Sequence, residues 1–294
     1  MTSQGWTQEF RKPPRQRLRM AVINSLVWVA IALGAIWTLF PFYWAAVTSL
    51  KRRGDLFGNK WMPFVSFDPS LDAWRSLFGV PQLGTAMWHS MVVSVAAATL
   101  ATAISVPAGY AIARCPFPGR MRIGTMFAFM ALRLMPPVAL ATPYLLLTLQ
   151  LGIRDTLLGL VLINSTINAP LAIIILSGVF LDVPGQLEEA SWVDGSTRFG
   201  SFAKILLPLV APAVAVSWIL CFAFTWNEAM LASALSFTDA RTMPELIIAT
   251  GGGGGVNFQA ASTRSLTVMI FPLIASLFTQ RYLVRGLSLG AVKG

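Results

Sequence analysis

Long stretches without a charged side chain constrain this chain more than any other feature. Asp, Glu, Lys and Arg are absent from residues 20–50, 76–113, 156–181 and 265–280. Two further stretches, 123–153 and 205–238, hold one charge each, Arg133 and Glu228. A helix needs about 20 apolar residues to cross the hydrocarbon of a bilayer. Each stretch reaches or approaches that length, and the shortest, 265–280, draws in flanking residues at 262–264 or 281–283. Because lipid offers no partner to a free backbone amide, the spans are helices. The reading is an all-α membrane protein of six transmembrane helices. One membrane domain covers 21–284, between a basic tail at 1–20 and a short tail at 285–294.

The composition agrees, at 55% hydrophobic and 12% charged, against about 25% charged for a soluble domain. The first tail carries Arg11, Lys12, Arg15, Arg17 and Arg19 against Glu9 alone. The apolar run after it is about twice the length of a signal-peptide core and lacks a small-residue cleavage site, which predicts a retained span. Six spans put both termini on one side, and the cationic tail puts that side in the cytoplasm. Thirteen of the 22 cations then lie in the cytoplasm and eight outside, with Arg133 in the membrane. The bias is modest because Lys51, Arg52, Arg53, Lys60 and Arg75 fall outside, partly offset by Asp55, Asp68 and Asp72. The net charge of +10 is spread over loops rather than gathered on one face, which points to lipid rather than nucleic acid. Cys115 in a loop and Cys221 within a span lie at different depths, and with His89 as the one histidine no metal-binding cluster and no catalytic constellation emerge.

One polar interruption stands out: residues 188–208 read EEASWVDGSTRFGSFAKILLP. Pro184 suits an early helical position, and Glu188 and Glu189 would face the positive end of the helix dipole. Leu187, Ala190, Ser191 and Asp194 share one face at helical spacing, mostly of small residues that let another surface approach. Gly195 is a natural stop, and Phe199, Phe202 and Ile205 begin a second apolar face. A solvated loop with some helix is the alternative reading.

The spacing Glu189-Ala190-Ser191, three residues, Gly195, nine residues, Ile205, one residue, Leu207-Pro208 resembles the EAA signature of ABC-importer permeases. Ser191 stands where the signature has its second Ala, at similar size. Pro184, Leu187, Asp194-Gly195, Pro208 and Pro212 resemble the carbohydrate, maltose-type branch. So do Thr225-Trp226-Asn227-Glu228 and the two terminal stretches Gln280-Arg281-Tyr282 and Gly290-Ala291-Val292-Lys293-Gly294. The resemblance implies a type I ABC importer permease fold in the bacterial cytoplasmic (inner) membrane. In that fold 184–205 would be a cytoplasmic coupling helix, with Glu188, Glu189, Ala190, Ser191, Asp194 and Gly195 seated in a cleft of an ATP-hydrolysing subunit. It further implies as partners a second permease subunit, two ATP-binding subunits and an extracytoplasmic solute-binding protein. None of Lys12, Lys51, Lys60, Lys204 or Lys293 follows a glycine, so the chain has no P-loop. ATP and Mg are expected in the partners, no cofactor is expected in this chain, and the chain is not expected to be an enzyme.

Charges inside spans usually face a bundle interior or a watery cavity. Trp226, Asn227 and Glu228 could form part of a substrate path, the ring stacking on a sugar and the polar groups bonding hydroxyls. Alternatively Asn227 and Glu228 hold helices together, or Glu228 pairs with Arg133. Asn164 and Asn168, four apart on one face, are further path candidates, while His89 reads as structural or interfacial. Met135-Pro136-Pro137 predicts a kink or break in the third span. The last external loop carries Gly251, Gly252, Gly253, Gly254 and Gly255, which either form a flexible linker or, as maltose-type permeases imply, reach into the binding protein's cleft. The reading is the permease subunit of an ATP-driven sugar or polyol importer. The alternatives are an ion-coupled secondary transporter using Arg133 and Glu228, or a non-transport membrane scaffold.

Overall fold

The computed structural model describes residues 14–248 and 257–290, with side chains described for all of these except 14–19, 21 and 278–290. The glycine run 251–255 and residues 291–294 therefore lie outside the described residues. In chain order the helices are α1 (Pro14–Ser49), α2 (Asp72–Phe78), α3 (Leu83–Arg114), α4 (Gly119–Leu134), α5 (Pro137–Gln150) and α6 (Leu157–Asp182). They continue with α7 (Gln186–Val193), α8 (Arg198–Ser201), α9 (Leu207–Trp226), α10 (Met230–Leu235), α11 (Met243–Ile248) and α12 (Phe258–Gly290). A single π turn, Phe202–Leu206, joins α8 to α9, and no strand occurs among the described residues.

Helices α1, α3, α6, α9 (with α8 and the π turn) and α12 are each long and apolar enough to cross a membrane. The sixth expected span is α4 and α5 together, bent by 90° at their junction. The break follows from the sequence: a residue preceding proline is pushed out of the helical region. Met135 (ψ 127°) precedes Pro136 and Pro136 (ψ 135°) precedes Pro137, so two successive residues turn extended. Pro137 then starts α5, where its missing N–H costs nothing. Helix ends differ from the ends of the uncharged stretches: α1 begins at Pro14 within the basic stretch, α9 ends at Trp226 although its apolar stretch runs to 238, and α12 continues to Gly290.

Helices α3, α6 and α9 form the core. With lipid tails as apolar as leucine, helices in a membrane associate by close approach of small residues and by interhelical polar contacts. Along α3, Ser94, Ala97, Ala98, Ala101, Ser105 and Gly109 are buried. A Cβ on Gly109 would stand 3.0 Å from Ser177 N and 3.1 Å from Leu176 Cβ, so only glycine lets α3 lie this close to α6. Ser105 Oγ donates to Ala169 O at 3.1 Å and Ser165 Oγ to Ala97 O at 3.3 Å. Across to α9, Asn168 Nδ2 donates to Thr225 Oγ1 at 3.0 Å. Along α1 residues 22–44 are exposed, and burial begins only at its end, with Val47, Thr48 and Ser49.

Chain direction sorts the loops into two ends. The C-termini of α3 and α6 meet α7, α8 and the start of α9 at one end. At the other lie the starts of α3 and α6, the end of α9, and α10 and α11.

Candidate functional site: the α7–α8 segment and its anchor

At the first end Glu188 turns inward, and its carboxylate is the anchor of α7. Its Oε1 accepts from Tyr110 Oη at 2.9 Å, and its Oε2 lies 2.9 Å from Arg114 Nε. That second contact is made off the N–H direction, so it acts as an ion pair. The directed bond of Arg114 runs from Nη2 to Val183 O at 2.6 Å. The side chains of Arg114 and Glu188 are 17% and 5% exposed. The last residue of α3 is thus fastened to both the end of α6 and the first turn of α7. Rings close the joint: Tyr110 meets Phe202 at 4.7 Å and Phe180 at 5.7 Å between centroids.

The other end of α7 is a Schellman stop. Gly195 N donates to Trp192 O at 3.0 Å and Ser196 N to Ser191 O at 2.9 Å, with Gly195 at φ +83°, the left-handed conformation this motif assigns to glycine. Thr197 Oγ1 then accepts from Gly200 N at 3.0 Å and caps α8. From Arg198 the backbone stays helical through the π turn to Trp226. Pro208 lies just beyond that turn. Its ring crowds the preceding turn and it has no N–H to give, two causes of a widened turn.

The expected face is partly corrected. Ser191 does not share the open face with Leu187, Ala190 and Asp194. It is buried, and its Oγ donates to Glu188 O at 2.8 Å. Glu189, Ala190, Asp194 and Gly195 are exposed, whereas Glu188 is a buried anchor. The open surface is more apolar than expected, with Val193 87% and Phe199 77% exposed and the Arg198 guanidinium 5.5 Å from the Trp192 ring. Val193 and Phe199 were legible as large apolar residues inside a polar stretch. Arg114 was not, since nothing in the sequence links it to Glu188. A cleft of about 520 Å³ runs beneath this surface, lined by Tyr110, Arg114, Glu188, Trp192, Arg198 and Phe202 among others.

The path candidates do not converge. Trp226 is buried, its Nε1 donating to Val268 O at 2.9 Å and its ring packed on Phe222 and Phe271. Asn168 bridges to α9, and Asn164 Nδ2 bonds Leu160 O of its own helix at 2.9 Å; both are buried. Within this chain the contacts of these three are helix-packing contacts. Glu228 lies beyond the end of α9 instead of within a span. Its Oε1 accepts from Met230 N at 2.9 Å and Leu231 N at 2.8 Å, and its Oε2 from Ala232 N at 2.9 Å, which caps α10. It does not pair with Arg133, whose guanidinium lies 4.3 Å from the Phe224 ring. Asn227 is exposed, its Nδ2 bonded to Ala223 O at 2.8 Å. His89 Nδ1 is 3.1 Å from Arg241 O, at the second end. No group of three or more metal-ligating side chains occurs among the described residues.

Comparison with known proteins adds a family match. Residues 105–288 match the model of the binding-protein-dependent transport system inner membrane component. The chain is 33% identical over 284 residues to the trehalose transport system permease protein SugB of Mycobacterium tuberculosis, covering 95% of this chain and 99% of that protein. It is 30% identical over 275 residues to the trehalose/maltose transport system permease protein MalG of Thermococcus litoralis, covering 92% and 96%. Among solved structures it shares the fold of a chain of a bacterial ABC transporter that imports the acidic polysaccharide alginate. That match has a TM-score of 0.68 at 19% identity and covers 92% of this chain and 98% of that one.

Proposed function

The chain belongs to the family of binding-protein-dependent transport system inner membrane components, and from that premise we propose that it moves a sugar or polyol inward at the expense of ATP hydrolysed by partner subunits. It is a multi-pass membrane protein and a permease subunit of an ABC importer. The carbohydrate class rests on relatives named for trehalose and maltose. The alternatives of an ion-coupled secondary transporter and a membrane scaffold yield to the family match.

The observation that carries the proposal is the way α7 is joined to the core. Its N-terminal turn is held to α3 and α6 through Glu188, Arg114 and Val183. Its C-terminal stop leads through α8 and the π turn into α9. A displacement of α7 is therefore delivered to all three core helices. We assign the open surface of Leu187, Glu189, Ala190, Val193, Asp194 and Phe199 to the cleft of an ATP-binding subunit. Two such subunits, a second permease subunit and an extracytoplasmic solute-binding protein complete the assembly, and ATP with Mg is held by the ATP-binding subunits. On this assignment α7 and both termini face the cytoplasm, which the cation count favours. Half-buried Arg133 and exposed Asn227 remain path candidates at the boundary with the second permease subunit, and Gly251–Gly255 remain candidates for reaching the binding protein. Deleting 252–254 should lower binding-protein-dependent uptake and the ATP hydrolysis that accompanies it; unchanged values of both would exclude that role.

The test of the docking assignment is copurification. Val193→Asp places a charge at the centre of an apolar contact and should leave the chain in the membrane while the ATP-binding subunit is lost from the purified complex. Undiminished copurification would remove the α7 surface from the interface.

A further inference from the structure

The end of the molecule opposite α7 holds one carboxylate that organises a whole segment. Asp155, in the link between α5 and α6, accepts four backbone N–H groups from the segment that follows α10. Its Oδ1 takes Phe237 N at 2.9 Å and Ala240 N at 3.1 Å; its Oδ2 takes Thr238 N at 3.0 Å and Asp239 N at 3.2 Å. Its own N donates to Leu235 O at 3.1 Å. Beside it the Arg154 guanidinium lies 4.2 Å from the Phe237 ring. An ionised carboxylate with four acceptor positions filled by amide donors is among the strongest neutral-donor arrangements a backbone segment offers.

The geometry of the link serves this contact. Asp155 takes φ +55°, a conformation more readily visited by aspartate than by most residues. The turn folds so tightly onto α6 that a Cβ on Gly159 would lie 2.4 Å from Ile153 O. Beyond the clamp the segment stays fixed. Met243 N donates to Ser90 Oγ at 2.8 Å, Ser236 Oγ to Glu245 Oε2 at 2.7 Å, and Arg241 Nε to Phe237 O at 2.8 Å. Residues 236–248 thus form a platform tied to the α5–α6 link and packed on α3, α10 and α12.

We infer that Asp155 is a positioning residue for engagement of the solute-binding protein. It makes the α5–α6 link and the 236–248 platform one body at the end of the molecule opposite α7, the end that a solute-binding protein outside the membrane would meet. This rests on the importer reading above. It concerns a residue outside the α7 contact, so basal ATP hydrolysis of the complex is expected to stay intact.

The experiment uses the full complex purified with its partner subunits, carrying Asp155→Asn or Asp155→Ala. Asn keeps the size and has one acceptor oxygen for the four donors. Two readouts are needed. Trypsin cleavage after Arg241, followed by mass spectrometry with cleavage after exposed Arg75 as internal reference, reports release of the platform. ATP hydrolysis titrated with the solute-binding protein encoded with this chain reports engagement. The expected result is faster cleavage after Arg241 in both variants, unchanged basal hydrolysis, and a rise of about tenfold in the binding-protein concentration giving half-maximal stimulation, the scale of one lost charge-assisted bond. Unchanged cleavage overturns the clamp. Faster cleavage with an unchanged titration overturns the role in engagement. A fall in basal hydrolysis equal to that in stimulated hydrolysis also overturns it, since that marks general damage. A wild-type complex that takes up no solute with its binding protein overturns the importer reading itself.

Discussion

Single residues carry the two joints that matter most. Removing one partner of a buried ion pair leaves the other desolvated and unpaired. Glu188→Leu should therefore destabilise the α3–α7 joint by about 3 kcal/mol, read as a lower unfolding midpoint in detergent. Arg114→Met combined with Glu188→Leu should recover much of that loss, and a double variant as unstable as the two losses summed would contradict the pairing. At Asp155, burial pushes the carboxyl upward and is outweighed by four backbone donors, so its pKa lies below the ordinary carboxylate range. A depressed value contributes stability that is present above the ordinary range and lost as pH falls through the depressed one. Hydrogen exchange of the amides at 237–240, corrected for its intrinsic pH dependence, should therefore stay slow from about pH 8 to about pH 5 and accelerate only below about pH 4. The charged or ionisable groups that face this segment are Arg154, Asp239, Arg241, Glu245 and His89. Acceleration that begins near neutral pH would contradict control of the clamp by Asp155. Neither joint was legible beforehand. Arg114 and Asp155 belong to no motif in the sequence, because each partner is remote in sequence and no local pattern records it. Glu228 misled for a related reason. It interrupts an apolar stretch that runs on past it, and only the helix break after Trp226 turns it from an intramembrane charge into a cap.

At the scale of elements the uncharged stretches and proline pairs were informative. Four of the expected spans stand as single helices, α1, α3, α6 and α12, because length and apolarity alone decide whether a segment crosses lipid. Where helices bend was less legible. Met135-Pro136-Pro137 announces a disruption, but a kink and the observed right angle differ only in whether one or two residues turn extended. Pro136→Ala with Pro137→Ala removes both constraints and should let α4 and α5 approach a continuous helix. Uptake should fall while the chain still reaches the membrane, and full uptake would mean that the bend has no part in transport. The polar segment shows the same division. Its stop at Gly195 follows from local chemistry, whereas the inward turn of Glu188 and Ser191 follows from packing against α3. The apolar exposure of Val193 and Phe199 appears only once the helix has been rotated to satisfy Glu188.

For the whole molecule, the far-end cations that weakened the charge asymmetry prove to be partly absorbed. Lys51 is buried between the rings of Trp44 and Phe67, Lys60 pairs with Asp55, and Arg75 lies 3.8 Å from Asp72. What unifies the molecule is a core of three closely packed helices with a rigid grip at each end, α7 at one and the Asp155 platform at the other. In the proposed mechanism α7 delivers partner ATP hydrolysis to that core. This delivery is tested most directly by Gly195→Val together with Glu189→Lys, in proteoliposomes containing the complete complex and its binding protein. Valine at φ +83° costs on the order of 1–3 kcal/mol and undoes the stop of α7, while lysine reverses an exposed charge on the docking surface. The expected result is a chain that inserts and folds but supports no ATP-driven uptake; uptake at the wild-type rate would mean that α7 does not couple hydrolysis to transport.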